Sequence, residues 1–494
     1  MSTGAVELIN HLERPLGRGH CPPDAFTGAA GGAACGDVIR VSIAIDPASP
    51  QGRIEDAGFD VSGCGAAVAA GSAAVGLLRG APLLAAARIG VEEIADELGG
   101  LSVAKRHAAE LAADALHRAL GAAARERAGL AQQPGRTLVA MSGGVDSAVA
   151  ALLVAQGGVE AVGVTLELWS DAENDGELSC CSAQAVRGAR ALAHGLDMPH
   201  LSIDLRAEFR AGVVDGWLSD HAAGLTPNPC VRCNGNVRLD AMLELAGRLG
   251  SQILATGHYA RVHEGPLPGT ATEQGGPLLR TAVDEGKDQS YVLTALAPEV
   301  LARLRFPLGE MHKPRVRELA EQAGLSVAGR RDSQDLCFLA GTRHGAFLER
   351  HGGLGRRPGP IVDLEGTVLG EHGGAHAFTI GQRHGLRIGG TEPLYVLATD
   401  TRANTVTVGP RRELIASGLT VREVTLRRDG RWVDGVRVRA HGRRLACRLV
   451  EDLGAGRHAR VGIELGELAE RTAPGQIACM YSGELIVGYG TIAA

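Results

Sequence analysis

The sequence predicts a multidomain chain: a helix-ended unit over residues 1–129, an open parallel α/β domain over 136–345, and two small β-rich units over 346–412 and 413–494. Three observations predict it. At 494 residues the chain exceeds one ordinary domain, and about three are expected at roughly 150 residues each. "RTLVAMSGGVDSAVAALLVAQGGVEAVGVTLEL" reads as strand, Gly-rich turn, helix and strand, which is a βαβ unit. Beyond about 345 the helical pattern gives way to short, Val/Thr-rich segments separated by turns, the pattern of small barrels.

In order along the chain, "VAKRHAAELAADALHRALGAAARERAGL" carries the Ala/Leu content and apolar spacing of a long helix that closes the first unit. "AQQPG", ending the 130–135 stretch, reads as a linker. Strand and helix alternation continues through "MPHLSIDL" and "SQILATGHYARV", which extends the parallel sheet. "GPIVDLEGTVLGEH", "EPLYVLATDTRANTVTVGP" and "LIVGYGTIAA" are the barrel strands.

The composition is 45% hydrophobic but only 3% aromatic, with 70 glycines, so the cores are built from Ala, Val and Leu. A net charge of −6 argues against a uniformly basic nucleic-acid binder. Residues 411–460 nevertheless hold 13 Arg against 6 Asp plus Glu, a candidate RNA backbone face. No leader-like or membrane-spanning apolar run is present, and the expectation is a cytoplasmic enzyme with no membrane partner. Ten cysteines, two of them adjacent (Cys180, Cys181), do not resemble a secreted disulfide framework. Reduced thiols with ligand or catalytic roles are the expectation, with Cys21, Cys180, Cys181, Cys447 and Cys479 left as structural.

The hexapeptide "SGGVDS", Ser142–Ser147, lies between a strand and a helix, where backbone N–H groups and the positive helix end hold phosphate. No G-x-x-x-x-G-K-[ST] loop occurs, which removes support for an ordinary phosphoryl-transfer NTPase. The hexapeptide resembles the pyrophosphate loop of the ATP pyrophosphatase (PP-loop) superfamily, whose fold is adenine nucleotide alpha hydrolase-like. Asp146 beside phosphates needs a compensating cation, which implies Mg2+.

Further stretches, "TPNPCVRCN", "LATGHYAR", "GKDQSYVL", "FPLGEMHKPRVRELA", "DSQDLCF", "TIGQRHGLRIGG" and "PGQIACMYSGE", resemble in order the tRNA-specific 2-thiouridylases. That resemblance implies a tRNA-uridine 2-sulfurtransferase that replaces O2 of wobble uridine 34 with sulfur, consuming ATP to AMP and pyrophosphate. Its partners would be tRNAs of the Lys, Glu and Gln type and a sulfur donor such as a cysteine desulfurase or relay protein. It implies Cys337 as the persulfide carrier and Cys233 as the second catalytic thiol. Ala140, Met141, Ser142, Gly143, Gly144, Val145, Asp146, Ser147, Leu166 and Gly257 would line the ATP site. Asn228, Pro229, Cys230, Lys287, Asp288, Gln289 and Arg437 would contact tRNA. The family's aspartate at position 230 is here a cysteine, so a proton-relay role falls away. Cys230, Cys233 and Cys337 then offer three sulfurs that suit a [4Fe-4S] cluster with an open iron, a persulfide–disulfide route, or a zinc site short of its fourth ligand.

"AACGDVIRVSIAI", "DAGFDVSGCGAAVAAGSA" and "KRHAAELAADAL" resemble the NifU/IscU-like iron-sulfur scaffolds, which implies an α+β first domain. The ligand set carried over is Cys35, Asp37, Cys64 and His107, for zinc or a labile iron-sulfur cluster. The scaffold's third cysteine is here Ala108, and its chaperone motif is reduced to "LSVAK". Competing readings are an iron-sulfur carrier with a vestigial transferase half, and a PP-loop sulfurtransferase acting on a small molecule.

Overall fold

A computed structural model describes residues 3–31, 36–171, 182–267, 275–332, 336–339, 341–389 and 392–493. Three antiparallel strands, β1 (Phe26–Gly31), β2 (Val38–Ile45) and β3 (Ile54–Ser62), form the first sheet. Helices α1 (Gly65–Leu78) and α2 (Arg106–Glu126) pack on it, which makes the unit α+β. The long helix expected from the Ala/Leu spacing is α2, 21 residues in length.

The second unit is a parallel sheet of β4 (Arg136–Ala140), β5 (Glu160–Glu167), β6 (His200–Asp204), β7 (Ile253–Ala255) and β8 (Leu304–Arg305), in the order β8-β7-β4-β5-β6. Its helices include α3 (Val145–Gln156), α4 (Ala183–Gly195), α5 (Asp215–Ala222), α6 (Pro229–Cys233), α7 (Leu239–Arg248) and α8 (Lys313–Gln322). The strand order reverses at β4/β7, and open α/β sheets bind ligands beyond the carboxyl ends of strands at that point. The "SGGVDS" loop leaves β4 there, and "TGHY" leaves β7 beside it.

Strands β9 (Gly359–Val362), β10 (Val368–His372), β11 (Tyr395–Asp400) and β12 (Thr405–Gly409) make a small sheet in the order β10-β9-β12-β11. The last unit closes a barrel from β13 (Ile415–Leu426), β14 (Gly435–Arg437), β15 (Leu445–Leu449), β16 (Gly456–Glu470), β17 (Ile477–Ser482) and β18 (Leu485–Ile492), with β18 returning to pair with β13. One departure from the sequence reading is the hairpin Arg261–His263/Leu278–Arg280. It lies within the span read as α/β, yet pairs with β18 through Leu485 opposite Arg280. The turn at Thr256–Tyr259 ends β7 and frees the following residues to leave the parallel sheet.

The expected linker is instead packed. Leu130 N–H donates to Arg248 O, Ala131 N–H to Pro50 O, and Gln133 N–H to Gly250 O. Helix α2 is wedged between the two sheets: a Cβ on Gly28 of β1 would collide with the backbone at Ala115 and Ala119, and one on Gly121 would strike Ser202 O of β6. Alanines at 108, 109, 112, 115, 119 and 123, all fully buried, permit this approach. Asp114 of α2 accepts from Arg187 at 2.7 Å and Arg190 at 2.6 Å, both on α4.

Beside that ion pair His117, His194 and His200 cluster, with ring centroids 5.8 Å (117–194) and 6.2 Å (117–200) apart. Burial, reinforced by the Arg190 charge, pushes His117 and His200 well below the ordinary imidazole value of 6.5, and burial lowers His194. Folded, His117 and His200 stay neutral; unfolded, both take protons below pH 6.5. Stability is therefore flat above 6.5 and should fall as pH drops below it, by up to about 1.4 kcal/mol per unit for each ring. Denaturant midpoints measured at pH 7.5 and 5.5 check this, and an unchanged midpoint would contradict it.

Candidate active site and metal centre

The loop between β4 and α3 is shaped by its own hydroxyls. Ser142 N–H donates to Ser147 Oγ at 3.1 Å, and Ser147 Oγ donates to Gly144 O at 3.0 Å. Gly143 has φ +72°, where a side chain would be strained, and Arg330 donates to its carbonyl at 2.9 Å. Ala140, Met141 and Val145 are buried beneath the loop. Gly257 packs on it: a Cβ there would lie 2.7 Å from Ser147 N. Leu166 lies near the carboxyl end of β5, the strand paired with β4. It lines a cavity of about 680 Å³ with Ile203, Leu205, Asn236 and Val237, and no residue of 140–147 shares that lining.

Sequence reasoning assigned Asp146 an external cation and missed the protein's own. Lys313 Nζ lies 2.6 Å from Asp146 Oδ1, to which Tyr259 also donates at 2.9 Å. Lys313 further pairs with Asp332 at 2.9 Å, and Asp332 accepts from Lys287 at 2.8 Å and Arg317 at 2.7 Å. Burial opposes ionisation of Asp332, but hydrogen bonds and charge from Lys287 and Lys313 prevail and hold it at about 2. Lys313 is only 7% exposed, and a lysine so buried is normally paired. The quoted motifs "HKPRVRELA" and "DSQDLCF" contain both residues, but nothing in their spacing signals the contact.

Lys287 thus joins the nucleotide-loop network. Asp288 is buried, accepts from Ala282 N–H and Ser290, and pairs with Arg437 at 2.7 Å, so these two expected tRNA contacts face one another. Gln289 Oε1 accepts from Tyr259 N–H at 3.0 Å. Of the arginines in 411–460, Arg411, Arg422, Arg443 and Arg448 also form ion pairs, which shrinks the expected basic face.

Helix α6 carries Cys230 and Cys233 on adjoining turns. Asn228 caps it, accepting from Cys230 N–H at 3.1 Å and Val231 N–H at 3.3 Å, and Pro229 occupies the first turn. Cys233 is buried, and burial pushes the Cys230 thiol up. Helix α5 links α6 to Cys337. A Cβ on Gly216 would collide with the Arg232 guanidinium, while the next residue, Trp217, stacks edge-on with Phe338 at 5.2 Å. Phe338 is further held by Phe347, Phe209 and Trp169. Two of three tryptophans and two of the other six phenylalanines therefore fix the residue next to Cys337. Among the described residues Cys230, Cys233 and Cys337 do not form a group with sulfurs all within 4.8 Å, so a mononuclear zinc site on them lacks support.

Such a group does exist in the first domain: Asp37, Cys64 and His107. Cys64 Sγ lies 3.1 Å from Asp37 Oδ2, and His107 Nε2 lies 3.7 Å from the same oxygen. His107 Nδ1 donates to Ala104 O at 2.9 Å, which leaves the Nε2 lone pair for a ligand. The hydrogen bond from Cys64 is the main cause of a lowered Asp37 pKa. A Cβ on Gly63 would press into the Asp37 carboxylate at 2.5 Å, so glycine keeps the cradle open. The donors fit zinc or a cluster iron. Cys35, Cys180 and Cys181 lie outside the described residues. Ala108 is fully buried and offers no ligand.

Three substitutions test these sites. Gly257→Ala should displace the loop and weaken ATP binding by on the order of tenfold or more, read by equilibrium binding; unaltered affinity would refute the contact. Cys64→Ser and His107→Ala should each remove most Co2+ binding and its thiolate charge-transfer band from the first domain; an undiminished band in Cys64→Ser would refute that site.

Comparison with known proteins places these features in a family. Residues 5–128 match the profile "NifU-like N terminal domain", 135–341 match "tRNA methyl transferase HUP domain", and 345–410 match "tRNA methyl transferase PRC-barrel domain". The bifunctional protein NifU/MnmA of Rubrobacter xylanophilus is 41% identical over 499 residues, covering 98% of each chain. The tRNA-specific 2-thiouridylase MnmA of Geobacter metallireducens is 39% identical, covering 73% of this chain and 97% of its own. That of Thermobifida fusca is 42% identical, covering 72% and 95%. With a NifU-like domain and a PP-loop thiouridylase-like unit on one polypeptide, the chain belongs to the NifU/MnmA fusion family.

Proposed function

We propose that the chain is an ATP-dependent tRNA sulfurtransferase that converts wobble uridine 34 to 2-thiouridine. The observation that carries this reading is the anchoring of both thiol segments on successive residues of α5, Gly216 and Trp217, in the domain that holds the nucleotide loop. The relatives named MnmA supply the substrate class.

In this reading the backbone N–H groups of 143–147 and the α3 dipole hold the ATP phosphates, and Lys313 turns from Asp146 toward them. Asp146 fits Mg2+, because Tyr259 and Lys313 both bond Oδ1 and leave Oδ2 for a cation. Bound there, Mg2+ would offset phosphate charge. Uridine O2 attacks the α-phosphate, and pyrophosphate leaves. The outer sulfur of a persulfide on Cys337 then adds at C2, and AMP departs with the former O2. The Cys233 thiolate attacks Cys337 Sγ, which frees the thiolated base and closes a Cys233–Cys337 disulfide for reduction by an external thiol. A cysteine desulfurase or relay protein would recharge Cys337.

The target base must leave the anticodon-loop stack to reach these thiols. The Asp37–Cys64–His107 site would serve delivery, receiving metal or cluster cargo beside the transferase. Because the packed linker and α2 fix this domain on β6, the delivery would come from a docked unit rather than a swinging one.

Cys337→Ser should abolish 2-thiouridine while leaving tRNA affinity within about twofold, because a hydroxyl cannot carry the sulfur and no basic side chain changes. Nucleoside mass analysis of tRNA from a strain carrying only the variant decides it. Near-normal 2-thiouridine would sink the assignment.

A further inference from the structure

Helix α6, the π-turn Asn234–Arg238 and α7 run on without a break, with helical backbone angles at Cys233, Asn234, Arg238 and Leu239. π-turns inside helices occur often at functional sites. Residues four apart share one face of such a rod, so Cys230, Asn234 and Arg238 form a stripe beside Cys233.

Two atoms of that stripe are buried without a partner: Asn234 Oδ1 and Arg238 Nε. Asn234 is 5% exposed. Its amide orientation is fixed, because Nδ2 donates to Val292 O at 3.4 Å and a carbonyl can only accept. The orphan is therefore an acceptor. The other orphan, an N–H of guanidinium, is a donor, and among the described residues the Arg238 side chain has no hydrogen bond or ion pair. A buried, unsatisfied acceptor and donor are each costly unless a ligand completes them.

The stripe also borders the nucleotide end of the sheet. The Arg238 charge acts on both Cys230 and His258. His258 follows Gly257, which rests on the Ser147 backbone. A ligand on this stripe thus lies between the thiol helix and the turn that supports the ATP loop.

We propose that Asn234 and Arg238 read the edge of the target base: Asn234 Oδ1 accepts from uracil N3–H, and Arg238 Nε–H donates to uracil O4. This rests on the tRNA-thiolation reading and specifies which base that site accepts. O2, the reacting atom, is left free. Cytosine presents the opposite pattern, an acceptor at N3 and a donor at N4, and would set acceptor against acceptor and donor against donor. Sites built to hydrogen-bond a substrate reject analogues that leave their groups unpaired far more strongly than apolar pockets do.

The test uses the full chain with anticodon stem–loop RNAs bearing uridine, 3-methyluridine, 4-deoxyuridine or cytidine at the target position, reading both affinity and thiolation. In the wild type, loss of N3–H in 3-methyluridine, or of O4 in 4-deoxyuridine, should each lower thiolation efficiency by on the order of tenfold to a hundredfold. Asn234→Ala should lose a similar factor on uridine and show no further loss on 3-methyluridine. Arg238→Gln should behave likewise toward 4-deoxyuridine, with Arg238→Lys restoring part of the loss. Equal wild-type handling of uridine and 3-methyluridine would overturn the proposal without reference to any variant's folding, as would penalties from substitution and analogue that simply multiply. Should no RNA be thiolated, the reaction assignment fails, and the wild-type affinity ratio between uridine and 3-methyluridine still decides the base contacts.

Discussion

The nucleotide end of the molecule depends on one buried ammonium. Lys313 bridges Asp146, on the first turn of α3, and Asp332, five residues before Cys337. Removing either carboxylate leaves the ammonium its other partner, whereas removing the ammonium leaves Asp146 with the Tyr259 hydroxyl alone among the described residues. That constraint holds α8 against α3 and draws Lys287 and Arg317 onto Asp332. It also leaves Asp146 charge-compensated before any phosphate or metal arrives. In the proposed function, phosphate groups entering the loop would compete for the same ammonium and so weaken its hold on Asp332.

A second constraint is steric. Helix α2 can serve two sheets at once only because its faces are alanine and glycine. Gly121 meets Ser202 O, Gly28 meets α2 from the other side, and the 3% aromatic content is the compositional trace of this close packing. Larger side chains would push the sheets apart and break the Asp114–Arg187–Arg190 pair that locks them. The aromatic residues that exist are concentrated where a loop, not a helix, must be held: around Phe338, next to Cys337.

The elements were legible where periodicity is local. The apolar spacing of α2, the strand–turn–helix of β4–α3 and the Val/Thr-rich hairpin β11/β12 all follow from neighbours in sequence. Contacts between distant residues were not. Lys313 and Asp146 are 167 positions apart, and a lysine on a short amphipathic helix reads as solvated. Arg448 and Glu464 lie directly opposite across β15 and β16, a register no charge count over 411–460 could supply. The motif marked Gly257 as a candidate but not its close contact with the loop, since packing against a backbone leaves no pattern in the chain. The motif resemblance carried Cys233 and Cys337; the anchoring of their two segments on α5 emerged only from the fold.

Position 230 shows how one departure is absorbed. An aspartate there would place a carboxylate near Arg238, and the guanidinium would have a resident partner. With cysteine, burial raises the thiol pKa and favours the neutral form, so Arg238 keeps its charge uncompensated among the described residues. His258, pushed down to about 3 by burial and by Arg238, stays neutral as well. Neither neighbour then pairs with the guanidinium, whose Nε is buried without a partner among the described residues; in the proposed function a substrate atom would supply that partner. A base with an acceptor at O4 meets that need. On that reading, a cysteine in place of a carboxylate beside the thiols would shift the site from internal charge pairing toward satisfaction by the substrate itself.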